Sequence, residues 1–97
     1  MKNIDEIKKV IATHKQELLE HNHDEHLDIF GSYARNEQTE KSDLDLLVDF
    51  NGMVGLMQVT ELQFYLESLL GLKVDVVTRK ALKPYMSVHI INEAVPV

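Results

Sequence analysis

Three aspartates stand in apolar, strand-like segments of this chain, where acidic residues are uncommon. Asp43 and Asp45 lie two positions apart in SDLDLLVDF, and Asp75 lies in VDVVT. Asp is disfavoured in strands, and residues two apart in a strand share one face, about 6.6 Å apart. Two carboxylates so placed repel each other, so that one becomes hard to ionise. A divalent cation removes this repulsion, and Mg²⁺ prefers carboxylate oxygens together with substrate phosphates. The spacing therefore predicts a Mg²⁺ site at Asp43 and Asp45.

The third aspartate, Asp75, alternates with Val74 and Val76 in its segment. An acidic residue inside an apolar strand usually has a partner or a function. Beside the first pair, Asp75 would complete a two-metal site or accept a proton from an attacking hydroxyl. Asp49 shares the parity of Asp43 but lies about 20 Å further along an extended strand. We therefore expect Asp49 to be a strand-end residue outside the site.

A Gly-Ser pair, Gly31 and Ser32, follows the first predicted strand. Glycine allows the backbone to approach a phosphate closely, and a serine at a helix start offers a hydroxyl and exposed N–H groups to an anion. If the first two strands are antiparallel neighbours, the Gly-Ser pair lies beside Asp43 and Asp45. Each feature alone is common on protein surfaces, and it is their combination in this order that indicates a site.

The candidate site residues must be positioned by the helices and strands of the chain. The apolar periodicity predicts three helices, over 3–21, 54–70 and 84–94. It predicts three strands, over 26–30, 42–50 and 72–78, with a polar connection over 33–41. Gly71 is the expected stop of the second helix and Pro84 the expected start of the third. We predict an α/β (α+β) fold in which helices cover a small mixed sheet, with residues 1–97 forming a single domain.

The second predicted helix has an apolar stripe on one side and two apolar residues among polar ones on the other. The residues expected to be buried are Val59, Leu62, Leu66 and Leu69. Met57 and Phe64 fall on the other side, among polar residues. Single exposed apolar residues are normal on protein surfaces. Met and Phe are also favoured in protein interfaces, so a contact patch for self-association or for a partner is the alternative interpretation.

The composition excludes several classes of function. The chain has 97 residues with 10 basic and 16 acidic side chains, a formal charge of −6, and no cysteine. An acidic surface argues against nonspecific nucleic-acid binding and suits a metal or a basic protein partner. The absence of cysteine excludes disulfides and thiolate zinc sites. HNHDEH, residues 21–26, lacks a fixed metal-ligand geometry and is expected to be a solvated turn. With no signal peptide or long apolar run, we expect a cytoplasmic protein without membrane contact.

Three motifs together resemble the minimal nucleotidyltransferases of the DNA polymerase beta superfamily. They are GSYAR, then SDLDLLV starting ten residues after Ser32, then VDVVT. The similarity covers nearly the whole chain, including the tail LKPYMSVHIINEAVPV. It implies that the Gly-Ser turn holds a nucleoside triphosphate. It also implies that Asp43 and Asp45 bind Mg²⁺ and that Asp75 completes the catalytic set.

Two further positions enter through this resemblance. Arg35 matches the usual arginine of the family, for which a role in phosphate binding or in fixing the turn is implied. Asn36 stands where family members often have glycine. Because Asn tolerates the left-handed backbone conformation better than most residues, we expect the turn to be kept.

The resemblance also implies a partner protein. The chain offers no segment that we expect to form an acceptor pocket, and minimal members of the family pair with HEPN-type toxins. The implied activity is transfer of AMP from ATP to a hydroxyl of such a toxin, with tyrosine the expected acceptor, which makes this chain an antitoxin. Three alternatives stay open: an antitoxin that only binds and masks the toxin, a small-molecule nucleotidyltransferase completed by a partner subunit, and a purely structural subunit.

Overall fold

Four strands and three helices make up the described part of this computed structural model, residues 3–14, 16–17, 24–50, 55–79 and 84–97. In chain order they are α1 (Ile4–Thr13), β1 (Asp24–Phe30), β2 (Leu44–Phe50), α2 (Leu56–Leu70), β3 (Val74–Thr78), α3 (Pro84–Glu93) and β4 (Val95–Pro96). None of the helices in these ranges is long and apolar enough to cross a membrane.

The four strands form one mixed sheet in the order β3-β2-β1-β4. β1 is antiparallel to both of its neighbours, β2 and β4, whereas β2 and β3 are parallel. The predicted mixed sheet is therefore confirmed, and the antiparallel pairing on which the expected place of the Gly-Ser pair depended is present. This pairing places the end of β1 beside the start of β2.

The core lies between one face of the sheet and the helices α1 and α2. Alternate residues of β2 supply its centre, because successive side chains of a strand point to opposite faces. The buried residues of this core, each at most 2% exposed, are Ile29, Leu44, Leu46, Val48, Ile7, Ile11, Leu62, Leu66 and Leu70. Leu47, 1% exposed, is also buried, but it lies on the opposite face of β2, the face of Asp45. Burial of such a side chain contributes roughly 1.5–3 kcal/mol.

The buried stripe of α2 differs from the predicted one at its end. Leu70 is 2% exposed and belongs to the core, whereas Val59 and Leu69 are only partly buried. Leu62, Leu66 and Leu70 follow an i, i+4 spacing, which keeps them on one face. The helix ends at Gly71, as predicted, in a left-handed conformation with φ 70°.

Two predicted boundaries near the N-terminus are wrong. α1 ends at Thr13, and its C-cap is His14, although residues 16 and 17 are again helical; the predicted stretch 18–21 lies outside the described residues. β1 begins at Asp24, two residues before the predicted strand start at His26, so residues 24 and 25 are strand and not a solvated turn. The reason is tertiary: Asp24 pairs with Phe50, and His26 pairs with Asp49, across β2. Residues 21–23 lie outside the described ranges.

The C-terminal strand β4 was not predicted. It has two residues, too few to show a periodicity. It forms because the edge of β1 is open to it: Val95 pairs with Ile29, and the N–H of Val97 donates to the carbonyl of Leu27 at 3.1 Å. The helix before it ends one residue earlier than predicted, at Glu93. The second and third predicted strands and the second predicted helix each begin two residues later than expected.

Candidate functional site

The sequence-predicted acids meet at the end of the sheet where β1 stops and β2 and β3 begin. Phe30, the last residue of β1, pairs with Asp45, and Asp45 pairs with Asp75. Paired residues in neighbouring strands project to the same face, and such strands lie about 4.8 Å apart. Asp45 and Asp75 are therefore neighbours on one face. Asp43 stands exposed immediately before β2 rather than within it.

Gly31 lies directly against Asp45. Its φ is +78°, in the left-handed region, and a Cβ built there would collide with Asp45 Oδ2 and lie 3.1 Å from Asp45 Cγ. A side chain at this position would be strained by the backbone and would also displace the carboxylate. Gly31 and Asp45 are thus packed against each other, as the sequence predicted.

The environment of Asp45 is strongly unfavourable for its charge. Burial, followed by the carboxylates of Asp75, Asp43 and Glu93, raises the pKa of Asp45 to about 6, and Arg35 opposes this only in part. Desolvation and like charges both disfavour an ionised carboxyl. The prediction that one acid of the cluster is hard to ionise is confirmed.

The turn after β1 is a single turn of irregular helix. The N–H of Arg35 donates to the carbonyl of Gly31 at 3.2 Å, and that of Glu37 donates to the carbonyl of Ser32 at 2.8 Å. Asn36 has φ 59°, so the expectation that Asn supplies a left-handed residue here is confirmed. The turn closes because Asn accepts a conformation that most residues avoid.

The first N–H groups of this turn are available to an anion. Within the described chain, the backbone N–H groups of Ser32, Tyr33 and Ala34 donate to no protein acceptor. The hydroxyl of Ser32 likewise has no partner among the described residues. Successive N–H groups of this kind form a concave binding place for phosphate oxygens. This arrangement suits the phosphate-binding role predicted for Ser32, whereas the N–H of Gly31 donates to Glu93.

Arg35 is held by two glutamates, one of which the sequence analysis missed. Its Nε donates to Glu37 at 3.1 Å, and its Nη1 donates to Oε1 of Glu93. Oε2 of Glu93 also accepts from the N–H of Gly31 at 2.9 Å. Burial alone would raise the pKa of Glu93, but the bonds from Arg35 and Gly31 outweigh it and lower that pKa. The sequence feature that could have pointed to Glu93 was its place in the C-terminal segment INEAVPV, part of the tail that resembles the family.

A divalent cation fits the chemistry of the acids. Among the described residues no three His, Asp or Glu side chains converge closely enough to form a complete metal site. However, Mg²⁺ is commonly held by one or two carboxylates together with substrate phosphates. Burial and, after it, repulsion from neighbouring carboxylates raise the pKa of Asp45, and such an ion would offset both by favouring the ionised carboxylate. Asp45, Asp75 and Asp43 supply only hard oxygen donors.

An open groove is lined in part by Asp43 but not by Asp45. Its volume is about 730 Å³. Its walls come from the turn before β2, from the α2–β3 connection and from α1, and they comprise Glu6, Tyr33, Thr39, Glu40, Lys41, Ser42, Asp43, Leu70, Gly71, Leu72 and Lys73. Lys41 and Lys73 place two cations beside Asp43. The sequence analysis did not single them out, because loop lysines show no pattern.

Asp49 is separate from this site, as predicted. It lies near the far end of β2, opposite His26, and its carboxylate is 3.8 Å from Nε of Arg79. Nη2 of the same arginine lies 3.4 Å from the buried carboxylate of Asp28. These two acids therefore have a cation of their own within the fold.

Met57 and Phe64 lie on the exposed side of α2, where the sequence placed them. They are 75% and 62% exposed, and Leu56 at the helix start is 82% exposed. Val88 and Ile91 of α3 are also exposed, at 59% and 47%. The predicted exposure of Met57 and Phe64 is confirmed. Their role in contacts with other proteins stays a prediction.

Comparison with known sequences identifies close relatives. Residues 11–97 match the family described as nucleotidyltransferase domain. The protein adenylyltransferase MntA of Thermococcus cleftensis is 41% identical over 95 residues, which cover 98% of this chain and 96% of that protein.

Comparison with solved structures agrees with the sequence relationships. A structure described as a minimal nucleotidyltransferase superposes with a TM-score of 0.78 at 34% identity, covering 94% of this chain and 95% of that one. A chain from the complex of tri-AMPylated Shewanella oneidensis HEPN toxin with MNT antitoxin superposes with a TM-score of 0.67, covering 93% of this chain and 70% of that one. At 20% identity, this second similarity shows a shared fold alone.

Proposed function

This chain belongs to the nucleotidyltransferase domain family and is a nucleotidyltransferase, and we propose that it transfers AMP from ATP to a hydroxyl of a HEPN-type toxin. The expected acceptor is a tyrosine. The observation that carries the proposal is the in-register pair Asp45 and Asp75 beside Gly31, with the pKa of Asp45 raised to about 6. A fold gains nothing from this uncompensated charge, whereas a cation-dependent phosphoryl site requires it.

The phosphate end of the nucleotide is assigned to the turn after β1. The N–H groups that follow Gly31 and the hydroxyl of Ser32 would bind the triphosphate oxygens. Arg35 adds a positive charge next to them, since its guanidinium lies at the other end of the same turn. These groups would orient the α-phosphate towards the acids, and correct orientation is itself a large part of phosphoryl-transfer catalysis.

The acids would hold Mg²⁺ and receive the proton of the reaction. Asp43, Asp45 and Asp75 are the residues that would bind the ion, which supplies neutralisation of the triphosphate charge. In the transfer, the acceptor hydroxyl oxygen forms a bond to the α-phosphorus as the bond to pyrophosphate breaks. Asp75, exposed at the start of β3, would accept the hydroxyl proton in the general-base role.

The partner is assigned from the relatives and the surface. One structural neighbour belongs to a complex between an MNT antitoxin and an AMPylated HEPN toxin. The formal charge of −6 suits a partner with a basic RNA-binding face. The exposed Met57 and Phe64 offer an apolar contact. An antitoxin that binds without catalysis is the second candidate, because no three acidic side chains converge on one point in the described ranges.

The test is transfer of label from α-³²P-ATP to a HEPN-type toxin in the presence of Mg²⁺. The decisive variant is Asp45→Asn, and its matched control is Asp49→Asn, an acid of the same strand and face that lies against Arg79. We expect label on the toxin with wild type and with Asp49→Asn, and none with Asp45→Asn. If Asp45→Asn neutralises the toxin as well as wild type does, the binding-only function is the correct one. An unlabelled toxin with the wild-type protein contradicts the transferase proposal.

The contact patch is tested separately with the double variant Met57→Glu, Phe64→Glu. Both residues are exposed, so the fold should tolerate the change. Pull-down of the toxin and sedimentation of the protein should show weakened association. Ser68→Glu, on the same side of α2, is the control for added charge. If the double variant keeps wild-type assembly and toxin binding, the patch has no interface role.

A further inference from the structure

We infer that Glu93 is a positioning residue for the nucleotide: its carboxylate holds Arg35 and the Gly31 turn in the conformation that receives the phosphates. This inference rests on the proposed function. It adds a residue from the C-terminal segment to a site otherwise built from β1, β2 and β3.

The sheet register brings Glu93 to this place. β4 is antiparallel to β1, with Val95 opposite Ile29. Continuing that register by two residues in each direction sets Glu93 opposite Gly31. The N–H of Ala94 donates to the carbonyl of Ile90 at 2.8 Å, which closes α3 just before the strand. The backbone of Glu93 is therefore fixed on both sides, by the helix end and by β4.

The carboxylate of Glu93 uses both oxygens on the turn. Oε2 accepts from the N–H of Gly31 at 2.9 Å, and Oε1 bonds Nη1 of Arg35. Glu37 accepts a hydrogen bond from Nε of the same arginine at 3.1 Å. Within the described residues, Nη2 of Arg35 has no acceptor, and it is the part of the guanidinium left for a phosphate. Glu93 is also the better-placed of the two glutamates, since its side chain is 25% exposed against 65% for Glu37.

Glu93 also keeps Arg35 away from the acids. Arg35 lies near enough to lower the pKa of Asp45, although burial and three carboxylates outweigh it. Without Glu93, the guanidinium would gain most by turning to the carboxylates of Asp45 and Asp75, because opposite charges attract strongly where solvent is partly excluded. It would then occupy the place assigned to the cation and leave the phosphates without their arginine. Glu93 therefore separates the positive group for the phosphates from the negative groups for the ion.

The N–H of Gly31 donates to Glu93, so it is not the group that meets the phosphate while this contact holds. The need for glycine at this position comes instead from its positive φ and from the approach of Asp45. Phosphate binding by this turn then falls to the N–H groups and the hydroxyl that follow, from Ser32 onward.

The experiment measures binding of Mg·ATP to the isolated protein by calorimetry. Glu93→Ala should weaken binding at least about tenfold, the usual effect of losing a hydrogen-bonded charged partner. Glu37→Ala, which removes the exposed glutamate from the same arginine, should change it by at most about twofold. Glu93→Gln keeps an acceptor for the N–H of Gly31 but not the charge for Arg35. Its affinity for Mg·ATP should therefore lie between those of wild type and Glu93→Ala.

A double-mutant cycle separates positioning from simple folding support. Because Glu93 acts in part through Arg35, the variant Arg35→Ala with Glu93→Ala should lose less affinity than the sum of the two single losses. Additive losses, or wild-type binding by both Glu93→Ala and Glu93→Gln, would overturn the inference. If Glu93→Ala does not fold, the cycle is run with Glu93→Gln. If wild type itself does not bind Mg·ATP, the proposed function fails, and the inference fails with it.

Discussion

Two groups of acids lie on the same face of the sheet, towards opposite ends of β2. They differ in whether an arginine of the chain lies against their carboxylates. At the far end, Arg79 lies between Asp28 and Asp49, at 3.4 Å and 3.8 Å. At the near end, Asp45 and Asp75 are paired in register, with no arginine or lysine bonded to either in the described chain. The arginine available there, Arg35, is turned towards glutamates instead.

The difference indicates which acids serve stability and which serve a ligand. Acids that share an arginine inside the fold have part of their charge offset by the chain, so they have less need of an external cation. The near-end acids retain their repulsion, and burial together with this repulsion raises the pKa of Asp45 to about 6. A cluster that folding leaves uncompensated is a place for an external cation. The same residue type on the same face thus takes two roles, according to the position of one arginine.

The largest expected effect is the loss of AMP transfer in Asp45→Asn. Because the ion contributes several kcal/mol of charge stabilisation in sites of this type, the rate should fall at least about a hundredfold. The melting temperature should stay the same or rise, since removal of a repelling carboxylate relieves strain built into the site. Rates with α-labelled ATP and a thermal melt measure the two properties. Wild-type transfer by this variant would remove the distinction between the two acid groups.

The converse change is Arg79→Ala at the far end. It takes the arginine away from the buried Asp28, and we expect a loss of about 2 kcal/mol in the free energy of unfolding. Transfer activity, measured below the unfolding transition, should be unaffected. Lys9→Ala, an exposed change on α1, is the matched control and should be near neutral. If Arg79→Ala lowers activity with stability intact, the far-end group is not purely structural.

A smaller effect is expected from Ser32→Ala, beside the near-end acids. A hydroxyl that bonds a phosphate contributes about 1.5–3 kcal/mol, so the KM for ATP should rise roughly tenfold or more. Stability should not change, because the Ser32 hydroxyl has no partner within the described chain. Ser68→Ala on the exposed side of α2 is the control. Identical kinetics over an ATP concentration series would show that Ser32 has no part in phosphate binding.

The smallest effect is a dependence of stability on pH in metal-free buffer. Because the pKa of Asp45 is raised from 3.8 to about 6 in the fold, the protonated carboxyl is the better-tolerated form. Its stabilising contribution is fully present below pH 3.8 and is lost as the pH rises through about 6. After allowance for solvent screening, the change is of order 1 kcal/mol. Denaturant unfolding of wild type and Asp45→Asn should diverge across this range, and Mg²⁺ with ATP should reduce the difference. Parallel curves would contradict the raised pKa.

Much of the site could be predicted because its signals are local. The acids stand out against apolar neighbours in two short segments, the Gly-Ser pair follows a strand, and Gly71 stops a helix with a left-handed residue. Each of these depends on the backbone preferences of a few adjacent residues. For Asn36, the position came from the resemblance to a family that often has glycine there, and its positive φ agrees with the tolerance of Asn for this conformation.

The features that were predicted wrongly or not predicted depend mostly on contacts between segments distant in sequence. The start of β1 at Asp24 requires the end of β2 as its partner. β4 requires the open edge of β1, and the early end of α1 at Thr13 has no signal in the apolar pattern. Glu93 reaches the turn only through the register of β4 on β1, which joins residues 62 positions apart.

The identity of the acids and the glycine in this site, and the alternation that sets them opposite a buried face, follow from the amino-acid sequence, because strand parity and left-handed conformations are local properties. The pairing of Asp45 with Asp75, the separation of Asp49 with Arg79, and the direction of Arg35 towards Glu93 follow from the tertiary structure. Charges on one sheet face interact according to which strands become neighbours, and the order β3-β2-β1-β4 is set by the packing of the whole chain.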